Sequence, residues 1–71
     1  MLIVISYEPF YETLALKKIT EYQLIFKHGF SANILYRMKQ GKPISTKTLD
    51  TLCFILDCQV SAILEYEKDE V

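Results

Sequence analysis

One pattern occurs three times in this chain and constrains its fold more than any other feature of the sequence. A large apolar residue stands directly before Ser or Thr, and a leucine follows five residues after the apolar one. The instances are Ile19-Thr20 with Leu24, Phe30-Ser31 with Leu35, and Ile44-Ser45 with Leu49. In such a pattern the hydroxyl caps a free backbone N–H at a helix start, while the two apolar residues pack across it. The sequence therefore predicts three helix starts, and Gln23 completes a capping box with Thr20.

Glycine and proline indicate where the helices end or begin. Gly29 and Gly41 stand where a left-handed residue would end the second and third helices, and Pro43 prevents the third from continuing. Pro9 suits the first turn of an earlier helix. The predicted fold is all-α, with helices over residues 9–18, 21–28, 32–40, 46–56 and 60–64.

The two ends of the chain predict a different structure. Residues 2–5 are aliphatic without a helix cap, which favours a strand, and residues 64–68 alternate as strands do. Two such segments can pair antiparallel and join the termini. The alternative is a pair of frayed tails.

The size and motif content of the chain argue against catalysis. Its 71 residues make one domain, 1–71, with no room for a deep cleft, and it has no glycine-rich phosphate loop, GxSxG turn or HExxH pair. We therefore predict that it is not an enzyme. Cys53 and Cys58 lie five apart and far in sequence from the single histidine, His28, which does not match a zinc ligand set. We expect two reduced thiols, no metal and no cofactor.

The apolar run at the start of the sequence is short. Residues 1–6 have no basic segment before them and no small-residue cleavage site after them, which does not fit a signal peptide or a membrane span. We expect a cytoplasmic protein that does not contact membranes.

Charge is divided between the middle of the chain and its ends. Residues 17–47 contain seven Lys or Arg against one acidic residue, a net +6, while all other positions together carry −7. A basic segment of this kind is typical of a surface that binds a polyanion, although the same division of charge could simply keep a protein soluble.

The connection between the second and third predicted helices is short and contains Gly29. This is the spacing of a helix-turn-helix, in which the first helix braces a second that lies in the DNA major groove. Ile34, Leu35 and Met38 fit the side of the third helix that would face the core. The opposite side is then left for base edges and phosphates.

The stretch from residue 19 to residue 64 resembles the Cro and phage-repressor (xenobiotic-response-element) family of helix-turn-helix regulators, especially its small stand-alone members. The most specific parts are SANILYRMKQGKPIS and LCFILDC. The resemblance implies a lambda-repressor-like five-helix fold, sequence-specific binding to double-stranded DNA and usually a dimer. We expect a homodimer and no small-molecule ligand. Two positions differ from the residues that this family usually has. Ile25 occupies a position where a small residue is frequent, and His28 occupies one where an aliphatic residue is frequent.

Carried onto this sequence, the resemblance predicts the base contacts, and the chemistry of the side chains predicts the phosphate contacts. The base contacts are Ser31, Ala32, Asn33, Tyr36 and Arg37, and the phosphate contacts are Thr20, Lys27, Lys39, Lys42, Thr46 and Lys47. The chemistry agrees, because Arg can bind guanine O6 and N7, Asn can bind adenine N6 and N7, and Lys and hydroxyls suit phosphate oxygens. Capping alone would explain Ser31 and Thr20, and edge packing would explain Tyr36. Asn33 and Arg37 lack such a structural explanation.

Two questions stay open at this point. A protein-interaction module of the same fold that does not bind DNA, such as the partner of a toxin or of another regulator, would also suit the acidic tail. For a homodimer the candidate surfaces are residues 2–5 and the outward residues of the fourth and fifth helices, such as Phe54 and Ile55. We favour the helical surface, because pairing with residues 64–68 would occupy the strand.

Overall fold

The chain folds into four α-helices, one 3₁₀ turn and two short strands, as seen in a computed structural model that describes residues 2–69, with side chains for 5–67. In chain order the elements are β1 (Leu2–Ser6), α1 (Glu8–Lys17), α2 (Glu21–Phe26), α3 (Ala32–Lys39), α4 (Thr46–Leu56), the 3₁₀ turn (Val60–Ala62) and β2 (Glu65–Asp69). The predicted helical fold with paired termini is confirmed. The prediction of a fifth helix over residues 60–64 was wrong, because the structure has a 3₁₀ turn of three residues there.

Two of the three predicted caps form. Thr20 Oγ1 accepts the N–H of Gln23 at 3.1 Å while the Gln23 side chain accepts the N–H of Thr20 at 2.9 Å, which completes the capping box. Ser45 Oγ accepts the N–H of Thr48 at 3.1 Å. The third cap was predicted wrongly, because Ser31 stands at the N-cap of α3 but its hydroxyl makes no cap hydrogen bond.

The helix ends use left-handed residues, as the glycines predict. Gly29 has φ +69° and Gly41 has φ +73°, a region that residues without Cβ enter at little cost. Two residues with side chains do the same, Lys18 after α1 and Asp57 after α4. α2 ends earlier than predicted, at Phe26, so the connection to α3 is longer than the sequence suggests.

One core of buried apolar side chains joins the helices. Its members among the described residues are Tyr7, Phe10, Leu14, Leu24, Phe30, Leu35, Met38, Leu52, Leu56 and Ile63. Leu35 and Met38 come from α3, and Ile34 packs half-buried beside them. The apolar side of α3 is therefore anchored in the core.

The terminal strands lie side by side and are tied to α1. β1 and β2 pair antiparallel, in a register that runs from Leu2↔Asp69 to Ser6↔Glu65. Next to this sheet, the Phe10 N–H donates to the Ile63 carbonyl at 3.1 Å, and Thr13 Oγ1 donates to the Ala62 carbonyl at 2.7 Å. These bonds hold the 3₁₀ turn against α1. Within residues 2–69, none of the helices has the length and apolar character needed to span a bilayer.

Candidate nucleic-acid interface

The outward side of α3 is polar and exposed. All five residues predicted to contact bases are exposed: Ser31, Ala32, Asn33, Tyr36 and Arg37. At about 100° per residue, those within the helix span an arc of roughly 140°, opposite the arc that holds Leu35 and Met38 in the core. The fold therefore brings the five predicted base-contacting residues onto one surface.

The hydroxyl of Ser31 is available on this surface. Because it makes no cap hydrogen bond, capping does not account for a serine at this position. Thr20 differs, since its hydroxyl is used in the capping box of α2. Of the two hydroxyls that capping could explain, only that of Ser31 is left to donate to, or accept from, a ligand.

A buried tyrosine positions the end of α3. The Tyr7 hydroxyl, at the start of α1, donates to the Lys42 carbonyl at 2.7 Å. The Lys42 N–H in turn donates to the Arg37 carbonyl at 3.0 Å. Burial raises the pKa of Tyr7 above its ordinary value, so the hydroxyl keeps its proton. Sequence reasoning missed this role, and its only signal was a tyrosine just before the first helix.

An ion pair links the two helices of the turn. Lys39 Nζ, near the end of α3, lies 3.3 Å from Glu21 Oε2, at the start of α2. Both side chains are partly in water, 56% exposed for Lys39 and 32% for Glu21, so the pair contributes at most about 1 kcal/mol. The Phe30 N–H also donates to the Leu24 carbonyl at 2.9 Å and closes the turn. Lys39, predicted as a phosphate contact, thus has a partner within the protein.

The same carboxylate lies near a second tyrosine. Burial, and then the charge of Glu21, raise the pKa of Tyr11. The Tyr11 hydroxyl is buried without a hydrogen-bond partner among the described residues. Tyr11 therefore stays neutral and acts as an apolar ring against Phe10, with the two ring centroids 5.1 Å apart.

The remaining predicted phosphate contacts are exposed: Lys27, Lys42, Thr46 and Lys47. Thr46 lines a groove on the side of α4 that faces the 3₁₀ turn. A small cleft of about 180 Å³ joins α3 to the start of α4, and its polar lining is Arg37, Ser45 and Thr48. Sequence reasoning did not select Ser45 or Thr48 as contacts, although it identified Ser45 as a cap.

Acidic side chains collect where β2 meets the start of α1. Carboxylate oxygens of Glu8, Glu65 and Glu67 all lie within 4.8 Å of one another, where β2 meets the start of α1, and all three side chains are exposed. Partial desolvation and then the Glu67 carboxylate raise the pKa of Glu65. Three of the acidic residues outside the basic segment therefore lie together on the surface.

Comparison with known proteins agrees with this geometry. Residues 12–69 match the profile of the Cro/C1-type HTH DNA-binding domain. The chain belongs to this family. Within this Cro/C1-type domain, α2, the turn through Gly29 and α3 form the helix-turn-helix, and the resemblance inferred from the sequence is confirmed.

A solved structure shares the fold of this Cro/C1-type domain. The crystal structure of transcriptional regulator VanUg, form II, superposes with a TM-score of 0.83 and covers 97% of this chain and 92% of that one, at 19% sequence identity. At this identity the likeness establishes the shared fold. The search of curated proteins gave no match.

Proposed function

We propose that the chain is a transcriptional regulator that binds a specific site on double-stranded DNA, with α3 in the major groove. The observation that carries the proposal is the exposed polar arc of α3, opposite side chains buried in the core, within a Cro/C1-type domain. A helix fixed on one side and polar on the other suits base edges, because the groove admits one α-helix.

Arg37 and Asn33 are the proposed readers of sequence. Both side chains are exposed on α3, and within the described residues the Arg37 guanidinium has no carboxylate partner. Arg37 is therefore free to bind guanine O6 and N7, and Asn33 to bind adenine N6 and N7. Ser31, Ala32 and Tyr36 complete the contact surface, the Ala32 methyl being suited to a thymine methyl.

The proposed phosphate contacts differ in how much they contribute. Lys27, Lys42 and Lys47 are exposed, and Lys42 lies three residues after the end of α3. Lys39 must leave Glu21 before it binds a phosphate, so we expect it to contribute less than Lys42. Thr20 and Thr46 stand at the starts of α2 and α4, where free backbone N–H groups also favour an anion.

We further propose that two copies bind one operator. A single recognition helix reads too few base pairs for useful selectivity, and a two-fold dimer places two helices one DNA turn apart. Phe54 on α4 is 86% exposed, next to an open groove of about 920 Å³ whose apolar lining includes Leu49, Val60 and Leu64. In a two-fold arrangement Phe54 of each copy would enter the groove of the other. Ile55, the other residue suggested by the sequence, is half-buried against the core.

Selection from a random duplex library tests the proposal. The purified chain is expected to enrich a two-fold-related motif, and binding to that motif should weaken steeply with salt, with a log–log slope of roughly −0.9 per phosphate contacted. Random duplex of the same length is the control. If no motif is enriched and no duplex binds at low salt, the interaction module without DNA binding is the better description.

A further inference from the structure

The C-terminal end of α4 brings the two cysteines of the chain together. Asp57 is left-handed, with φ 50°, and its N–H donates to the Phe54 carbonyl at 3.4 Å. The Cys58 N–H reaches further back and donates to the Cys53 carbonyl at 3.1 Å. This pair of bonds is a Schellman motif, in which the side chains at the Cys53 and Cys58 positions usually contact each other.

The backbone bond sets an upper limit on how far apart the two cysteines lie. An N···O distance of 3.1 Å and standard bond lengths put the Cys53 and Cys58 Cα atoms at most about 7 Å apart, and closer when the atoms are not collinear. Disulfides join cysteines whose Cα atoms lie about 4.4–6.8 Å apart. The Cα atoms of the pair therefore lie within or close to the range over which disulfides form.

Both thiols are open to small reagents. Each side chain is half-buried and lines the 920 Å³ groove, together with Leu49, Val60 and Leu64. Burial, and then the neighbouring Cys53, raise the pKa of Cys58, as expected for two sulfur atoms near each other in an apolar setting. A raised pKa lowers the thiolate fraction at neutral pH, so reaction is slow and accelerates as pH rises.

We propose that Cys53 and Cys58 form a reversible intramolecular disulfide, which makes the end of α4 a site of thiol oxidation. The oxidant is a low-molecular-weight disulfide such as oxidised glutathione. One cysteine thiolate attacks it and releases the first glutathione thiol, and the second cysteine then attacks the mixed disulfide and releases the other. The protein loses two electrons and two protons, and the small disulfide gains them.

The bridge changes the groove that the two thiols line. It fixes the turn after α4 and replaces two weak hydrogen-bond donors with an apolar S–S group between Leu49 and Val60. Bridging thereby couples the redox state of small thiols to the shape of this surface. The inference rests on the α4 turn alone and holds whether or not the chain binds DNA.

Equilibration in glutathione buffers tests the inference. The native chain and the chain unfolded in urea are brought to equilibrium over a range of reduced-to-oxidised ratios, quenched with acid, and weighed as intact proteins. The bridged form has lost two hydrogens. We expect the native chain to be half bridged when the squared concentration of reduced glutathione, divided by that of oxidised glutathione, is about tenfold higher than for the unfolded chain, which by linkage is about 1.4 kcal/mol of added unfolding free energy in the bridged form.

Three variants control the measurement. Cys53→Ser and Cys58→Ser should each take up one glutathione and form no bridge. The double variant Cys58→Ser, Gln59→Cys keeps two thiols but moves one out of the Schellman position, and it should lose the advantage of the native fold. The inference fails if the native chain is bridged no more readily than the unfolded one, if the shifted pair behaves like the original, or if oxidation yields only disulfides between chains.

Discussion

The surface of α3 and the groove beside α4 are opposites in chemistry. Around α3 most exposed residues are polar or cationic, with Ala32 and Tyr36 as the exceptions, and the side chains of Leu35 and Met38 are buried in the core. Beside α4 apolar side chains stay in contact with water, among them Phe54 and Val60, and acidic Glu65 lies at the rim. In this small domain two surfaces of different chemistry lie on different helices, because each helix contributes to the core through only one face.

Truncating a buried residue of α3 should change the protein more than any other substitution considered below. Leu35 is 3% exposed, so Leu35→Ala should lower the free energy of unfolding by about 2–5 kcal/mol, through lost burial and the cavity left behind. Urea denaturation followed by circular dichroism measures it. Gln40→Ala, exposed at the end of the same helix, is the matched control. A loss below 1 kcal/mol would mean that α3 is not held by its apolar face.

The next effect separates base contacts from phosphate contacts. Arg37→Ala should cost about 1–3 kcal/mol on the selected operator and relax the choice at one base pair, whereas Lys42→Ala should weaken operator and random duplex alike. Titrations of labelled duplexes at fixed salt compare the two variants. Equal losses on both duplexes for Arg37→Ala would remove this residue from the proposed readers.

A lysine in place of an exposed apolar residue of α4 tests the surface beside the groove. Phe54→Lys should weaken self-association by about tenfold or more, since a lysine cannot be buried at low cost in an apolar contact. Sedimentation over a range of protein concentrations, with and without operator, measures it. Phe26→Lys is the control, because Phe26 is also exposed but lies on α2. If only the control dissociates copies, the contact lies on the helix-turn-helix side.

A smaller effect is expected at the bond that ties α1 to the segment after α3. Tyr7→Phe removes the donor to the Lys42 carbonyl and should cost about 0.5–1.5 kcal/mol of stability. Operator affinity should fall by a few-fold with unchanged base preference, because the segment behind Arg37 is looser. Tyr22→Phe, which removes an exposed hydroxyl, should change neither property. An altered base preference in Tyr7→Phe would show that this tyrosine does more than position the turn.

The smallest effect concerns the acidic side chains where β2 meets α1. The pKa of Glu65 is raised in the folded chain, so the folded chain binds this proton more tightly than the unfolded chain does. The free energy of unfolding therefore falls as pH rises from just below the ordinary pKa of 4.5 through the folded pKa. Glu65→Gln removes this penalty and should be the more stable protein at pH 7, with an advantage that shrinks toward pH 3.5. Asp50→Asn controls for the change in net charge. An advantage of equal size at both pH values would contradict the assignment.

Local signals in the sequence were sufficient for much of the fold. Thr20 with Gln23, Ser45, Gly29 and Gly41 act over a few residues, so their roles follow from neighbours in the chain. The helical period likewise separated the buried and exposed sides of α3. The cap predicted at Ser31 is an exception among these local signals, because its hydroxyl makes no cap hydrogen bond.

The features that could not be predicted from the sequence depend on contacts between segments far apart in the chain. The 3₁₀ turn is held by Thr13 and Phe10 of α1, which no local pattern reveals. The Glu21–Lys39 ion pair depends on how α2 crosses α3, and the bond from Tyr7 to Lys42 spans 35 positions. For the candidate site, the exposed residues were therefore predictable, but their positioning partners and the competing ion pair were not.

The pairing of β1 with β2 also has a consequence for how the protein is made. The register joins Leu2 to Asp69, so β1 is synthesised before the helices and its partner strand is synthesised only after them. Closing so long a loop is entropically costly, and the helices can form earlier from local contacts. Until then an aliphatic strand with free N–H and C=O groups is exposed to other nascent chains. Slow synthesis or crowded polysomes should therefore favour aggregation through β1, and translation rate, rather than equilibrium stability, would then limit the yield of folded protein.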